Sequence, residues 1–260
     1  MFTALLADFL FRLTFGVAAA MAVTSSRQVT SGFFRVHLWA LIGLQTLAAL
    51  AVYSIDAPPK SPIAGIVIFQ FAFAVAATLI SYFGAVIWLY ERPLAGKAAL
   101  VAISGFCLAA LAVGAPRTHF FFQVVDRASS GLLLGLVSTS MLLGHWYLNT
   151  PTMKLEPLRR LILMLAIAVL VRVAVSGSGA WLDVTHLANS SELPQSWTMF
   201  LALRWLSGLV GTLILAGLTW QTLKIPNTQS ATGILYAAVI LTFIGELTSQ
   251  LLSAETLYPV

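Results

Sequence analysis

Eight stretches of about twenty or more mostly apolar residues, separated by short polar breaks, dominate this chain. They fall at 4–23, 33–54, 63–90, 95–114, 129–148, 158–182, 199–223 and 232–252. Each is long enough to cross about 30 Å of hydrocarbon. In lipid every backbone N–H and C=O must be bonded within the protein, so segments of this length are expected to be helices. The breaks carry turn chemistry, as in Ser25-Ser26-Arg27, Asp56-Ala57-Pro58-Pro59-Lys60, Glu91-Arg92-Pro93, Ala115-Pro116-Arg117, Asn149-Thr150-Pro151 and Lys224-Ile225-Pro226-Asn227. Too few residues remain for a soluble domain. The expectation is an all-α integral membrane protein, residues 1–260 forming a single bundle of about eight transmembrane helices.

Composition supports this, since only 9% of residues are charged against roughly a quarter in ordinary soluble domains. The net charge of +5 does not point to nucleic acid, because most Lys and Arg residues stand at the ends of apolar segments, where they answer to headgroups and topology. Cys107, the single cysteine, excludes disulfides within the chain, cysteine-built metal sites and covalent c-type haem. Ala18-Ala19-Ala20-Met21-Ala22 mimics a signal-peptide cleavage region, yet no basic residue follows Met1 and Asp8 and Arg12 interrupt the apolar run. The segment is expected to stay as the first helix.

Orientation follows from the basic residues. The connections after helices one, three, five and seven, with their flanks, hold Arg27, Arg35, Arg92, Lys97, Lys154, Arg159, Arg160 and Lys224, against Lys60, Arg117 and Arg127 in the others. Short basic loops stay in the cytoplasm, so both termini are expected on the outer or periplasmic side of a bacterial inner membrane. The long connections at 115–128 and 183–197 would lie there too, with Phe120-Phe121-Phe122 resting in the interface or against a partner. Arg12 and Gly16 entering helix one are echoed by Arg127 and Gly131 entering helix five, which raises a four-plus-four repeat.

Two of the four histidines, His37 and His145, fall inside predicted helices. Each lies within roughly 8 Å of the cytoplasmic boundary at 1.5 Å rise per residue, so their imidazoles could face one another. Facing histidines on separate helices suit a b-type haem, with Trp39, Trp146 and Tyr147 near enough to pack on a porphyrin or quinone edge. Arg35 points to the opposite side of its helix from His37. The plainer role for both histidines is that of interfacial anchors. His119 and His186 are expected in outer connections, so the chain alone can build no second intramembrane bis-histidine site.

The other informative residues are charges within the apolar segments: Arg12, Arg172, Arg204 and Glu246. Each costs a few kcal/mol or more in hydrocarbon unless compensated. Glu246 should pair with Arg204 at similar depth and Arg12 with Asp8 one turn away, leaving Arg172 without an acidic partner and able to bind an anionic or carbonyl ligand. Gln70, Tyr82, Ser138, Ser140, Ser176, Ser178 and Gln250 are candidates to complete a polar interior. Ser207 with Gly211 is a small-residue pair suited to close helix packing. The P-loop, HExxH and GxSxG patterns are absent, so the chain is not expected to be catalytic on its own.

Size, helix count and intramembrane His and Arg residues resemble membrane anchor subunits of respiratory or photosynthetic complexes. That resemblance implies an electron-transport role within a multi-subunit redox complex, with haem b or quinone held near the cytoplasmic face by His37 and His145, and with lipids and other membrane subunits as partners. Two other readings stay open: a small-solute or proton transporter working through Arg12, Arg172, Arg204 and Glu246, and a structural scaffold subunit.

Overall fold

The computed structural model describes residues 2–58, 61–150, 152–187, 195–225 and 227–253, and the side chains of 183–187 and 195–197 are left aside. Lys60, the His186 side chain and 188–194 of the long connection therefore lie outside the description. The helices run α1 (Phe2–Val23), α2 (Ser31–Tyr53), α3 (Pro62–Leu89), α4 (Pro93–Val113), α5 (Phe120–Asn149), α6 (Glu156–Leu187), α7 (Gln195–Leu203), a π-helical stretch (Arg204–Gly211), α8 (Thr212–Lys224) and α9 (Thr228–Ser253). From α7 to α8 the backbone stays helical, so this run makes one rod. Eight helices are long and apolar enough to cross a membrane, and no strand occurs among the described residues. That architecture is consistent with an integral membrane protein.

Helix ends follow local chemistry. Pro62 and Pro93 open α3 and α4, where a missing N–H costs nothing, and the Ser61 hydroxyl accepts from the Ala64 N–H at 3.1 Å. The main departure from the expected boundaries is α5, which begins at Phe120 rather than near 129. Asp126 and Arg127 lower the local hydropathy enough to read as loop, yet nothing after Pro116 breaks a helix, and both charges find partners inside the bundle. Phe120-Phe121-Phe122 is therefore the first turn of α5, with Phe121 81% exposed.

The helices form two rings of four. In the first, α1 packs on α2, α2 on α3, α3 on α4, and α4 closes on α1; in the second, α5 packs on α6, α6 on α8, α8 on α9, and α9 closes on α5. The rings join chiefly along α1 and α5. Glycine makes this seam possible: a Cβ at Gly16 would overlap the Gly131 carbonyl oxygen and come within 2.9 Å of the Gly135 nitrogen. The matching order of neighbours, with Gly16 against Gly131 at the crossing, fits the suspected four-plus-four repeat.

One end of the bundle gathers the basic connections, and we call it the basic face; the other, where α1 begins and α9 ends, is the terminal face. At the basic face Arg159 donates to the Leu223 carbonyl at 2.7 Å, satisfying an acceptor at the end of α8, and Gln28 reaches Glu156 at 3.1 Å across the rings. The expected Ser207–Gly211 pair does not form the close contact. The π turn shifts the register, so Gly208 meets Gly245 of α9, while the Ser207 hydroxyl donates to the Leu203 carbonyl at 2.6 Å.

Candidate functional site

Charged side chains from five spanning segments meet in the terminal-face half of the bundle. Asp8 and Arg12 come from α1, Asp126 and Arg127 from α5, Arg172 from α6, Arg204 from the start of the π stretch and Glu246 from α9. Counting about 1.5 Å per residue from the helix ends, six of them lie about 9–15 Å below the terminal ends of their helices, and Arg172 lies about 22 Å from the end of the longer α6. Arg172, Arg204 and Glu246 are fully buried, and Asp126 is 2% exposed.

They form one continuous chain of ion pairs. The Arg127 Nε donates to Asp8 at 2.9 Å, and the Arg12 Nε donates to the other Asp8 oxygen at 2.7 Å. Gln250 also donates to Asp8, at 3.1 Å. Arg12 Nη1 stands 3.5 Å from Asp126, whose second oxygen accepts from Arg172 Nη1. Arg172 turns its Nε and Nη2 side-on to Glu246 at 3.1 and 3.0 Å, and Nη2 also reaches the Ser249 hydroxyl at 3.1 Å. Glu246 lies 3.5 Å from Arg204 Nη2, which donates to Ser176 at 2.7 Å.

Two expected pairs, Asp8 with Arg12 and Arg204 with Glu246, are present. The expectation that Arg172 lacks an acidic partner is corrected: it binds two carboxylates, Asp126 and Glu246. Asp126 escaped the reading because it was placed in a loop, whereas the longer α5 carries it into the bundle. The same shift makes Arg127 an interior residue, its side chain only 13% exposed, rather than a loop charge. Such burial is tolerable only because the set is mutually compensating, since removing one partner of a buried pair leaves an uncompensated charge costing about 3–5 kcal/mol.

A cavity of about 590 Å³ opens above this chain at the terminal face. Asp8, Arg12, Asp126, Arg127, Gln70, Gln123 and Gln250 give it polar walls, and Ile55, Ile63, Ile66 and Val67 add apolar ones. Arg127 is one of these lining residues, and its Nη1 is shielded from solvent and has no hydrogen-bond partner. Across the connected chain, four guanidiniums face three carboxylates, an excess of one positive charge.

The other expected polar residues divide. Gln70, Gln250 and Ser176 belong to the cavity or the charge chain, as above. Ser138 and Ser140 are buried without hydroxyl partners, Ser178 bonds its own helix carbonyl at Val175, and Tyr82 lies on the outside against Trp39, ring centroids 5.8 Å apart.

The histidines stand at the basic face with different neighbours. The His37 Nδ1 lies 2.7 Å from the Phe33 carbonyl, and its ring packs on Phe33 and, at 6.2 Å, on Trp146. A carbonyl only accepts, so Nδ1 carries the proton and Nε2 the lone pair in the neutral ring. His145 turns instead to α9, its Nδ1 3.2 Å from the Tyr236 hydroxyl. Trp146 donates to Thr30 at 3.0 Å, pinning α5 against the start of α2. Trp39 is 52% exposed beside Tyr82, and Tyr147 is buried with its hydroxyl on the Lys154 carbonyl, so neither joins a shared histidine pocket.

No family model, curated protein or solved structure matches this chain. Function is therefore read from the chemistry of its own sites.

Proposed function

We propose that this chain is a small-solute transporter that binds an acceptor-bearing group (carboxylate, phosphate or polarised carbonyl) in the cavity at the terminal face. One observation carries this reading: Arg127, which lines the cavity, has a buried Nη1 without a hydrogen-bond partner and ends an ion-pair chain with one positive charge in excess. A guanidinium in a partly dehydrated cleft favours planar oxygen acceptors, and an anion there would neutralise the surplus. The reading places the protein in a bacterial inner membrane with the terminal face outward. Below Arg12 the way is closed by Gly16 packed on Gly131 and Gly135, so passage requires the two rings to shift along that seam.

Thermal unfolding of the purified full-length protein tests binding, with sodium acetate and inorganic phosphate as probes against sodium chloride at matched ionic strength. A ligand that binds only the folded state raises the midpoint. The midpoint should rise with at least one probe in the wild type and stay level in Arg127→Gln. No rise above the chloride control, or equal rises in both proteins, would sink the reading.

A second reading is favoured by the histidines: a membrane subunit of a redox complex holding haem b or quinone at the basic face. Its support is that both rings commit Nδ1 to a neighbour: His37 then offers an Nε2 lone pair to an iron, and His145, when the Tyr236 hydroxyl donates to its Nδ1, offers an Nε2–H to a quinone oxygen. A Soret band or an extracted quinone in purified protein, lost equally in His37→Ala and His145→Ala, is the expected result. Absence of both cofactors removes this reading, and unequal loss removes shared ligation.

A further inference from the structure

Beside the charged cavity lies a second hollow of quite different character. It has a volume of about 780 Å³ and is lined by Pro62, Gly65, Ile66 and Phe69 of α3, by the end of α4, and by Phe120 of α5, with Arg117 as its single charged wall residue. Positions 62, 65, 66 and 69 share one helix face by spacing. A Cβ placed on Gly65 would meet nothing within 4 Å, so this glycine opens onto free space rather than onto a neighbouring helix.

The two hollows are continuous in their walls. Ile66 lines both. Along the α4–α5 connection the residues alternate, Gly114, Pro116 and Thr118 facing the charged cavity and Ala115 and Arg117 facing the apolar groove. A charged chamber that shares a wall with an apolar groove matches a molecule with a polar head and a hydrocarbon tail. A small hydrophilic ion would leave the groove unused.

We infer that the ligand of this site is an amphiphile, its carboxylate or phosphate head at Arg127 and its hydrocarbon chain in the groove along Gly65 and Phe69. This deepens the transporter reading and rests on it. Arg117, exposed at the groove rim, stands where a second acidic group of the same ligand or a neighbouring headgroup would meet it.

The test uses the full-length protein in a non-ionic, sugar-headed detergent and compares acetate with dodecanoate, and inorganic phosphate with dodecyl phosphate, in wild type, Gly65→Phe and Arg127→Gln. The tail should strengthen binding at least tenfold more in the wild type than in Gly65→Phe, whose new ring plugs the groove. Gly65→Phe should keep the wild-type response to the short probes, which also shows that it folds; Gly65→Leu should lose part of the tail effect. A wild type deaf to acetate and phosphate removes the head-group site. A wild type that responds to them but gains nothing from the chain, or gains as much when plugged, overturns the amphiphile alone. Native mass spectrometry separates the sources: a phospholipid retained by wild type and lost from Gly65→Phe identifies the bilayer, and dodecanoate binding without retained lipid identifies a free amphiphile.

Discussion

The two rings order their helices alike but are filled by opposite chemistry. In the first ring Asp8 and Arg12 of α1 turn to α5 across the seam, and the other inward contacts are neutral: Thr14 donates to the Leu10 carbonyl at 2.7 Å and lies 3.3 Å from the Cys107 sulfur, Ser81 donates to Gln45 at 2.8 Å, and Gln70 donates to the Ala110 carbonyl at 3.1 Å. In the second ring Arg172, Glu246 and Arg204 occupy the corresponding interior, fully buried. The neutral pairs are local and each holds two helices. The buried charges act across the bundle: Asp126, Arg172, Glu246 and Arg204 each meet partners on two other helical segments, and so the set ties α1, α5, α6, α9 and the π stretch into one unit. The cavity sits where the two regimes meet, above the neutral ring and beside the charged one.

This contrast can be broken most directly at Arg172. Arg172→Ala leaves Asp126 and Glu246 buried without their main counter-charge and should cost about 3–5 kcal/mol, measured by unfolding in mixed micelles. A cost no greater than that of a neutral-ring substitution would mean that the second ring is not organised by its charges. Next comes the seam that couples the rings. A side chain at Gly16 would strike the α5 backbone, so Gly16→Leu should destabilise by about 3 kcal/mol, or force the rings apart and weaken cross-linking between cysteines introduced on α1 and α5. Retained stability and cross-linking would show that the rings do not depend on this contact.

A smaller effect is expected inside the neutral ring. Ser81→Ala removes one hydrogen bond to Gln45 and should cost about 1 kcal/mol by the same unfolding measurement. A loss matching that of Arg172→Ala would erase the distinction between local and networked polarity. Smallest of all, Gln28→Ala cuts an exposed contact to Glu156 across the rings and should change stability by no more than about 0.5 kcal/mol. A larger loss would show that the basic face, and not the glycine seam alone, couples the two halves.

Much of the site could be read from residues. Arg12, Arg172, Arg204 and Glu246 stand out because charge in an apolar run demands compensation; helix depth matches Arg204 to Glu246, and one-turn spacing matches Arg12 to Asp8. Asp126 and Arg127 did not stand out, because two adjacent charges before a small-residue stretch look like the end of a loop. The echo of Arg12–Gly16 in Arg127–Gly131 was the signal that could have placed them inside a helix. The histidines show the opposite limit: equal depth on two helices says nothing about direction, and His37 turns to Phe33 and Trp146 while His145 turns to Tyr236.

By itself the sequence determined the helical class, the number of helices long and apolar enough to cross a membrane and the gathering of basic residues at one end, because length, apolarity and charge placement are written one segment at a time. Only the tertiary structure decided which charges meet, since pairing depends on helix rotation and neighbour order rather than depth. It likewise revealed the cavity and the apolar groove beside it, which exist between helices and leave no mark along any one of them.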